Sequence, residues 1–429
     1  MTYQEALNTI HSLDTFGSRP GLDRIKRFLK ILGNPQDSLK FIHVAGTNGK
    51  GSTCAMISST LVEAKYKTGL FISPYITDFC ERIQINGEMI SHDILAKTVE
   101  STFPILVKLR EDHCIITEFE YVMALAFLIF KEANCDVVVL EVGLGGLLDS
   151  TNVILPPVAS VITTIGVDHT NVLGNTIEEI AKQKCGIIKK ASPVITSAQE
   201  ECVMKIIEET AKENNCLLYK SEDIAINVIS ETIDGTEFIY KEKEILLHLT
   251  GKHQIENGKT ALATIEAIKS VFPVTYENII EGFKKAINPA RFEVLNKTPL
   301  VILDGAHNPN GIEALKNAIS KLVKTNNNIC ILGMLGDKDS QSSIKLLSGL
   351  FDTVITVPVN NPRSMTSDAL AEKCSMHFNK VIKETNISIA FDKGYELAKE
   401  NNSSLIICGS LYLAGEIRPV ILEKLSNQQ

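Results

Sequence analysis

A short apolar run, Phe41-Ile42-His43-Val44-Ala45, leads straight into Gly46-Thr47-Asn48-Gly49-Lys50-Gly51-Ser52 and then into a helical pattern over about 52–65. A strand that turns at once into a helix cannot pair back as a hairpin, so the next strand arrives by crossover and the sheet grows parallel. The glycines of the turn let backbone N–H groups approach an anion with no Cβ in the way, and the helix aims the positive end of its dipole at the same point. The turn therefore reads as a phosphate cradle for ATP built from Asn48, Gly49, Lys50, Gly51 and Ser52. Lys50 supplies charge for the β/γ-phosphates, and Ser52 or Thr53 a hydroxyl for Mg²⁺. The long Gly-x-x-x-x-Gly-Lys pattern would need glycine at Val44, so this is a shorter variant. A tight turn with an incidental lysine is the competing reading. The strand before, the helix after and Lys-Gly-Ser between disfavour it.

The same strand–turn–helix rhythm continues. A mostly apolar helix is expected over 118–133, and Val137-Val138-Val139-Leu140-Glu141-Val142 is a continuous apolar run closed by a carboxylate and Gly143-Leu144-Gly145-Gly146. A further strand over 158–165 ends in Gly166-Val167-Asp168-His169. Unbroken apolar strands between helices imply a parallel sheet covered on both faces. Residues 220–250 alternate instead (Glu237-Phe238-Ile239-Tyr240, Ile245-Leu246-Leu247-His248) and predict an antiparallel hairpin, followed by helix over 253–271. A second α/β unit opens near Thr298 with the strand Leu300-Val301-Ile302-Leu303-Asp304 and a helix over 311–322. Strands are then expected over 329–335, 353–357, 387–391 and 404–408, and a last helix over 411–425. The chain breaks around 292–297 into a P-loop-type parallel-sheet N-terminal domain (1–293) and a smaller Rossmann-like α/β C-terminal domain (294–429). A length of 429 residues suits two cores better than one.

Composition removes other classes. A net charge of −8 gives no footprint for nucleic acid. The longest apolar runs, 122–130 and 137–142, fall well short of the ~20 residues a membrane helix needs. Residues 1–13 are polar and helix-like, without a signal-peptide pattern. The ten cysteines include no Cys-x-x-Cys pair, so they read as buried apolar residues in a reducing cytoplasm. The expected protein is cytoplasmic, monomeric and a binder of small molecules.

Two further groups of residues carry chemistry. Glu141 ends one buried strand and His169 follows another, and the C-terminal ends of parallel strands share an edge with the phosphate loop. The three could converge on one metal, although a carboxylate with an imidazole is an unusual Mg²⁺ set. A structural ion pair and a turn histidine are equally compatible with these residue types. The third group is Leu303-Asp304-Gly305-Ala306-His307-Asn308-Pro309, a strand end followed by a helix with proline in its first turn. Asp304 and His307 there favour a site facing the cleft between domains.

Nearly the whole chain resembles the folylpolyglutamate synthase/dihydrofolate synthase family of Mur-ligase-like, ATP-dependent amide ligases. The resemblance is carried, in order, by residues 46–52; Ser73-Pro74 with Glu81-Arg82-Ile83-Gln84-Ile85-Asn86-Gly87; residues 141–146 with Leu148-Asp149-Ser150-Thr151-Asn152; Asp168-His169-Thr170; Lys184-Cys185-Gly186-Ile187-Ile188-Lys189; Gln254-Ile255-Glu256-Asn257; Arg291-Phe292-Glu293; residues 303–309; and residues 409–416. It implies that Asn48, Gly49, Lys50 and Gly51 hold the ATP phosphates, and that Ser73, Glu141 and His169 ligate Mg²⁺ directly or through water. Lys184 matches a lysine that family members carry as a carbamate. Asn257, Arg291 and Asp304 would contact the nucleotide from the far side, and His307 and Ser410 the incoming glutamate. Pro20, Gly21, Leu22, Thr117, Phe119 and Asp149 match the pterin region of bifunctional members, and Arg82 is a further substrate contact. The resemblance allows a monovalent cation such as K⁺. The implied reaction is ligation of L-glutamate to a reduced folate, or to dihydropteroate, through an acyl phosphate.

Three positions depart from the family pattern: Leu147 stands for arginine, Tyr75 for histidine and Gln183 for glutamate. None is an expected phosphate or metal ligand. A cell-wall Mur ligase would place an extra domain before the phosphate loop, and only 45 residues precede Gly46. A catalytically degenerate ATP-binding paralogue is the alternative of another class. Leu147 favours it, whereas Lys50, Glu141, His169, Lys184 and Asp304 oppose it.

Overall fold

The structure is a computed structural model that describes residues 1–13, 21–336 and 339–427. Eight strands form the first sheet: β1 (Phe41–Ala45), β2 (Thr68–Phe71), β3 (Ile83–Ile85), β4 (Glu88–Met89), β5 (Val137–Glu141), β6 (Ala159–Ile162), β7 (Val194–Thr196) and β8 (Leu218–Lys220). Their order is β4-β3-β2-β5-β1-β6-β7-β8. Pairing is parallel from β2 through β8, and β3 and β4 run antiparallel at one edge. Both faces of the central strands are covered, as their apolar runs require. Val138 and Leu140 enter a core with Phe127 and Tyr121 of the helix Glu118–Glu132. Val137 and Val139 enter the opposite core with the helices Lys50–Glu63 and Lys252–Ile268.

The alternating segment forms three strands rather than one hairpin: β9 (Asn227–Thr232), β10 (Gly235–Tyr240) and β11 (Lys243–Leu247), in order β11-β10-β9. Phe238, Tyr240, Ile245 and Leu247 are buried in the same core as the helix Lys252–Ile268. The β10–β11 turn places Lys241 and Glu242 at φ 46° and 66°, the paired left-handed geometry that matches strand twist.

The third sheet is built from the C-terminal part of the chain. It holds β12 (Glu293–Lys297), β13 (Leu300–Leu303), β14 (Ile329–Leu332), β15 (Thr353–Thr356), β16 (Lys380–Lys383) and β17 (Leu405–Cys408), in order β12-β13-β17-β14-β15-β16. All pairs are parallel except β12–β13. The strand expected over 387–391 is instead the start of the helix Ile387–Glu400. Asn386 caps it by accepting from Ile389 N–H, and Ala390, Phe391, Gly394, Tyr395 and Ala398 are buried at helical spacing. The true edge strand, β16, is exposed at both ends, where it carries lysines, and is too polar to announce itself. Among the described residues no helix is long and apolar enough to cross a membrane.

Left-handed backbone at a β-branched or long side chain is costly, and glycine relieves it. Glu242→Gly is expected to raise the unfolding free energy by about 0.5 kcal/mol. Urea denaturation showing a loss of stability would contradict this account of the turn.

Candidate active site

The register sets the site. Val44 pairs with Glu141, Ala45 with Ile162 and Phe71 with Leu140, so β1, β2, β5 and β6 all end along one edge. The phosphate loop is fastened to the β6 end: Thr47 and Asn48 N–H groups donate to Thr164 O at 2.9 and 3.2 Å. The Thr47 hydroxyl and the Gly166 backbone are in mutual hydrogen-bond contact at 3.0–3.1 Å. Gly49 has φ 86°, and a Cβ there would lie 2.2 Å from Asn257 Oδ1. Only glycine lets Asn257, from the helix Lys252–Ile268, close against the loop. Lys50, Gly51 and Ser52 form the first turn of their helix, which starts two residues earlier than the pattern suggested. The Ser52 hydroxyl is held by Asn288 Nδ2 at 3.0 Å.

Two lysines converge on one oxygen. Gly46 O accepts from Lys50 Nζ at 3.1 Å and from Lys184 Nζ at 2.8 Å. Lys184 is buried, and burial together with the Lys50 charge pushes its pKa down to about 7, against the pull of Asp168 and Asp149. Two lysines so close, one of them dry, make a site that favours an anion.

Glu141 is also buried and accepts from Ser73 N–H at 2.9 Å. Burial raises its carboxyl above the usual range, opposed by Lys50, the Ser73 N–H, Arg291 and Arg82. Glu141 offers the hard oxygen ligand, and Ser73 stands beside it through its backbone N–H. His169 sits on the rim, with φ 52° and a side chain half exposed beside Asp168.

An edge of the third sheet faces this one. Asp304 is buried, raised by burial and opposed by Arg291, and it accepts from Phe292 and Ala306 N–H at 2.7 Å each. Arg291 thus acts on carboxylates of both sheets. His307 Nδ1 donates to Gly305 O at 2.8 Å, which fixes its tautomer. Asn308 caps the helix Pro309–Leu322 and also reaches Asp168 of the first sheet at 3.5 Å. Ser410 is buried, and its hydroxyl caps the helix Leu411–Ser426 by accepting from Tyr412 N–H at 3.0 Å.

The expected pterin region partly assembles. The Phe119 ring lies so close over Gly143 that a Cβ there would stand 2.5 Å from it. Asp149 is buried and accepts from Leu144 N–H at 2.9 Å. Thr117 uses its hydroxyl to cap the helix Glu118–Glu132, with Glu120 completing the box. Leu22 packs on the core of that helix, and Gly21 takes φ 147°. Pro20 lies outside the described residues. The Arg82 guanidinium stacks on Tyr75 and Phe79 at 5.1 and 5.4 Å. Its buried Nε has no hydrogen-bond partner among the described residues. Tyr75, which departs from the family pattern, therefore has a defined partner, and Leu147 is exposed.

Sequence reasoning missed Asn288 and Thr164, and it gave Asn308 no role of its own. Each reaches the site from a loop or cap position that no periodicity marks. It also missed Asp78, Cys80 and His92, whose donor atoms lie within 4.8 Å of one another. Asp78 Oδ1 already accepts from Tyr3 Oη and Cys80 N–H, and Oδ2 contacts His92 Nε2 at 2.7 Å. That trio is closed by its own hydrogen bonds.

A fold of two facing α/β sheets with a phosphate loop and a second-domain Asp-His edge defines the Mur ligase class. The Mur ligase middle domain matches residues 44–265 and the Mur ligase glutamate ligase domain residues 290–411. Within that class the chain belongs to the folylpolyglutamate synthase/dihydrofolate synthase family. It is 36% identical to the dihydrofolate synthase/folylpolyglutamate synthase of Bacillus subtilis over 97% of this chain and 98% of the relative. It is 34% identical to the folylpolyglutamate synthase of Lacticaseibacillus casei over 98% and 99%. Among solved structures, Mycobacterium tuberculosis folylpolyglutamate synthase complexed with ADP superposes with a TM-score of 0.90 at 29% identity, covering 98% of each chain. An FPGS–AMPPCP–folate complex gives 0.85 at 32% identity, covering 98% of this chain and all of the other.

A lysine whose pKa is lowered by folding destabilises the fold while both states are protonated. That cost disappears as pH rises from about 7 toward the unfolded value. Relative to Lys184→Met, the wild-type protein is expected to gain stability between pH 7 and 10, by an amount on the order of a few kcal/mol. Parallel urea melts giving a constant difference would show that Lys184 is not held dry.

Proposed function

We propose that this chain ligates L-glutamate to a folate carboxylate, driven by ATP. The observation that carries this reading is the pair of lysines on Gly46 O, facing Glu141, with Arg291 bearing on both Glu141 and Asp304. Such a field suits a nucleotide triphosphate between the two sheets. A carboxylate is a poor electrophile. In the proposed reaction a folate carboxylate oxygen takes the γ-phosphoryl group, the γ-phosphorus–oxygen bond to ADP breaks, and an acyl phosphate forms. The glutamate nitrogen then attacks the acyl carbon, inorganic phosphate leaves and the nitrogen loses a proton.

In this reading Asn48, Gly49, Gly51 and Ser52 cradle the phosphates and Lys50 follows the charge of the transferring group. Ser73, Glu141 and His169 would hold Mg²⁺, which when bound neutralises charge on the phosphoryl oxygens. Asn257, Arg291 and Asp304 embrace the nucleotide, and His307 and Ser410 take the glutamate. The lowered pKa of Lys184 gives it a neutral amine near pH 7, the form that adds CO₂ to make a carbamate. Phe119 over Gly143, with Asp149 bonded to the next residue, Leu144, supports a flat ring in that region, so dihydropteroate is a second acceptor beside tetrahydrofolate. The domain division at 293/294, a monomeric state and a cytoplasmic setting complete the proposal.

The test is phosphate release and glutamate incorporation with Mg²⁺, K⁺ and glutamate, using tetrahydrofolate and dihydropteroate side by side. Activity with neither acceptor rejects the reading. Lys50→Ala is expected to lower kcat at least ~100-fold while the thermal melt is retained. Full activity in that variant would remove the phosphate loop from the mechanism.

A further inference from the structure

One buried histidine plays no part in the chemistry above. His43 lies in the middle of β1, three residues before Gly46, and is fully buried. Its strand neighbours Ile42 and Val44 enter one core, so His43 points to the other face of the sheet with Phe41. There Nε2 stands 2.8 Å from the Thr151 hydroxyl. That hydroxyl donates its single proton to Asp149 Oδ1 at 2.5 Å. Thr151 can therefore only accept from the histidine, and Nε2 must carry the hydrogen. Nδ1 is left as a lone-pair nitrogen, buried and with no hydrogen-bond partner among the described residues. Burial, and secondly the nearby Lys189 charge, push the imidazole pKa down to about 3, so the ring stays neutral.

A core position on a central strand would ordinarily hold an aliphatic residue, and an orphaned ring nitrogen costs stability. The gain lies at the far end of the chain of bonds. Asp149 Oδ1 is filled by Thr151 alone, through its N–H at 2.9 Å and its hydroxyl. Oδ2 accepts from Leu144 N–H at the start of the glycine-rich loop. The carboxylate is held directly by its own loop, and His43 ties that loop, at Thr151, to a rigid strand.

We propose that His43 is a positioning residue for the folate acceptor. Its Nε2–H, relayed through the Thr151 hydroxyl, sets the Asp149 carboxylate and the 143–152 loop against the strand that also delivers the phosphate loop. The proposal rests on the reading that Asp149 faces the pterin of the acceptor.

The relay is tested with His43→Leu, His43→Gln and Thr151→Val in the full chain, by steady-state kinetics with dihydropteroate and with tetrahydrofolate. Thr151→Val keeps shape and removes the hydroxyl, so it carries the test if His43→Leu fails to fold. His43→Leu and Thr151→Val are expected to raise the acceptor KM about tenfold, leaving the KM for ATP and kcat within about twofold. His43→Gln, whose amide N–H replaces Nε2–H, is expected to recover most of the loss. In an Asp149→Ala background, Thr151→Val should add nothing further. A full additional loss in that background, or equal KM values for the leucine and glutamine variants, overturns the relay. If the wild-type protein ligates glutamate to neither acceptor, the functional reading has failed instead. The relay is then judged by ¹⁵N NMR of His43: a neutral Nε2–H tautomer supports it and an Nδ1–H tautomer refutes it.

Discussion

Two lysine side chains share one carbonyl oxygen at the heart of this structure, and much of the site follows from that crowding. Gly46 O can satisfy Lys50 and Lys184 as hydrogen-bond donors, but it cannot cancel their charge. Buried cations need either counter-charge or deprotonation. Lys184 takes the second route, and the strand ends of the first sheet supply part of the first through Glu141 and Asp168. A chain that needed only a tight turn at this place would have no use for such a field. A polyanion entering the loop converts a destabilising feature into binding energy.

The sheet explains why these groups meet at all. Parallel pairing brings β2, β5, β1 and β6 out at the same edge, so residues far apart in sequence, Gly46, Ser73, Glu141 and Asp168, arrive together without any local signal linking them. The phosphate loop and the strands around it were legible because unbroken apolar runs and glycines have one reading in a two-sided sheet. The segment 387–391 was not, because five residues, mostly apolar, serve a buried strand or the inner face of a helix equally well. Asn386 and the spacing through Ala398 decided it, and both lie outside the run. The antiparallel segment was legible in kind but not in number, since its third strand is mostly exposed and carries little apolar pattern.

Site residues divide along the same line. Lys50, Glu141 and Asp304 stand on or beside strand ends and the first turn of a helix, and Lys184 in the last turn of the helix Ile177–Cys185, where position follows from the fold. Thr117 and Ser410 show the opposite case. Their hydroxyls are committed to helix caps, so residue type alone mixes a structural duty with a binding one. Asn288 and Asn308 reach across from other elements, and nothing short of three dimensions connects them to Ser52 and Asp168.

Three buried carboxylates line the site, and burial raises each of them, yet they are compensated in different ways. Asp149 is held mainly by hydrogen bonds from its own neighbourhood: Leu144 N–H, and the N–H and hydroxyl of Thr151. Its state depends little on what else is bound. Glu141 is compensated by the Ser73 N–H and by the charges of Lys50, Arg291 and Arg82, which come from several elements. Asp304 has two N–H donors of its own and shares Arg291 with Glu141. Moving the sheets apart would change the balance at Glu141 and leave Asp149 nearly untouched. On the proposed reading the acceptor side is therefore preorganised, while the nucleotide side depends on where Arg291 and the third sheet stand.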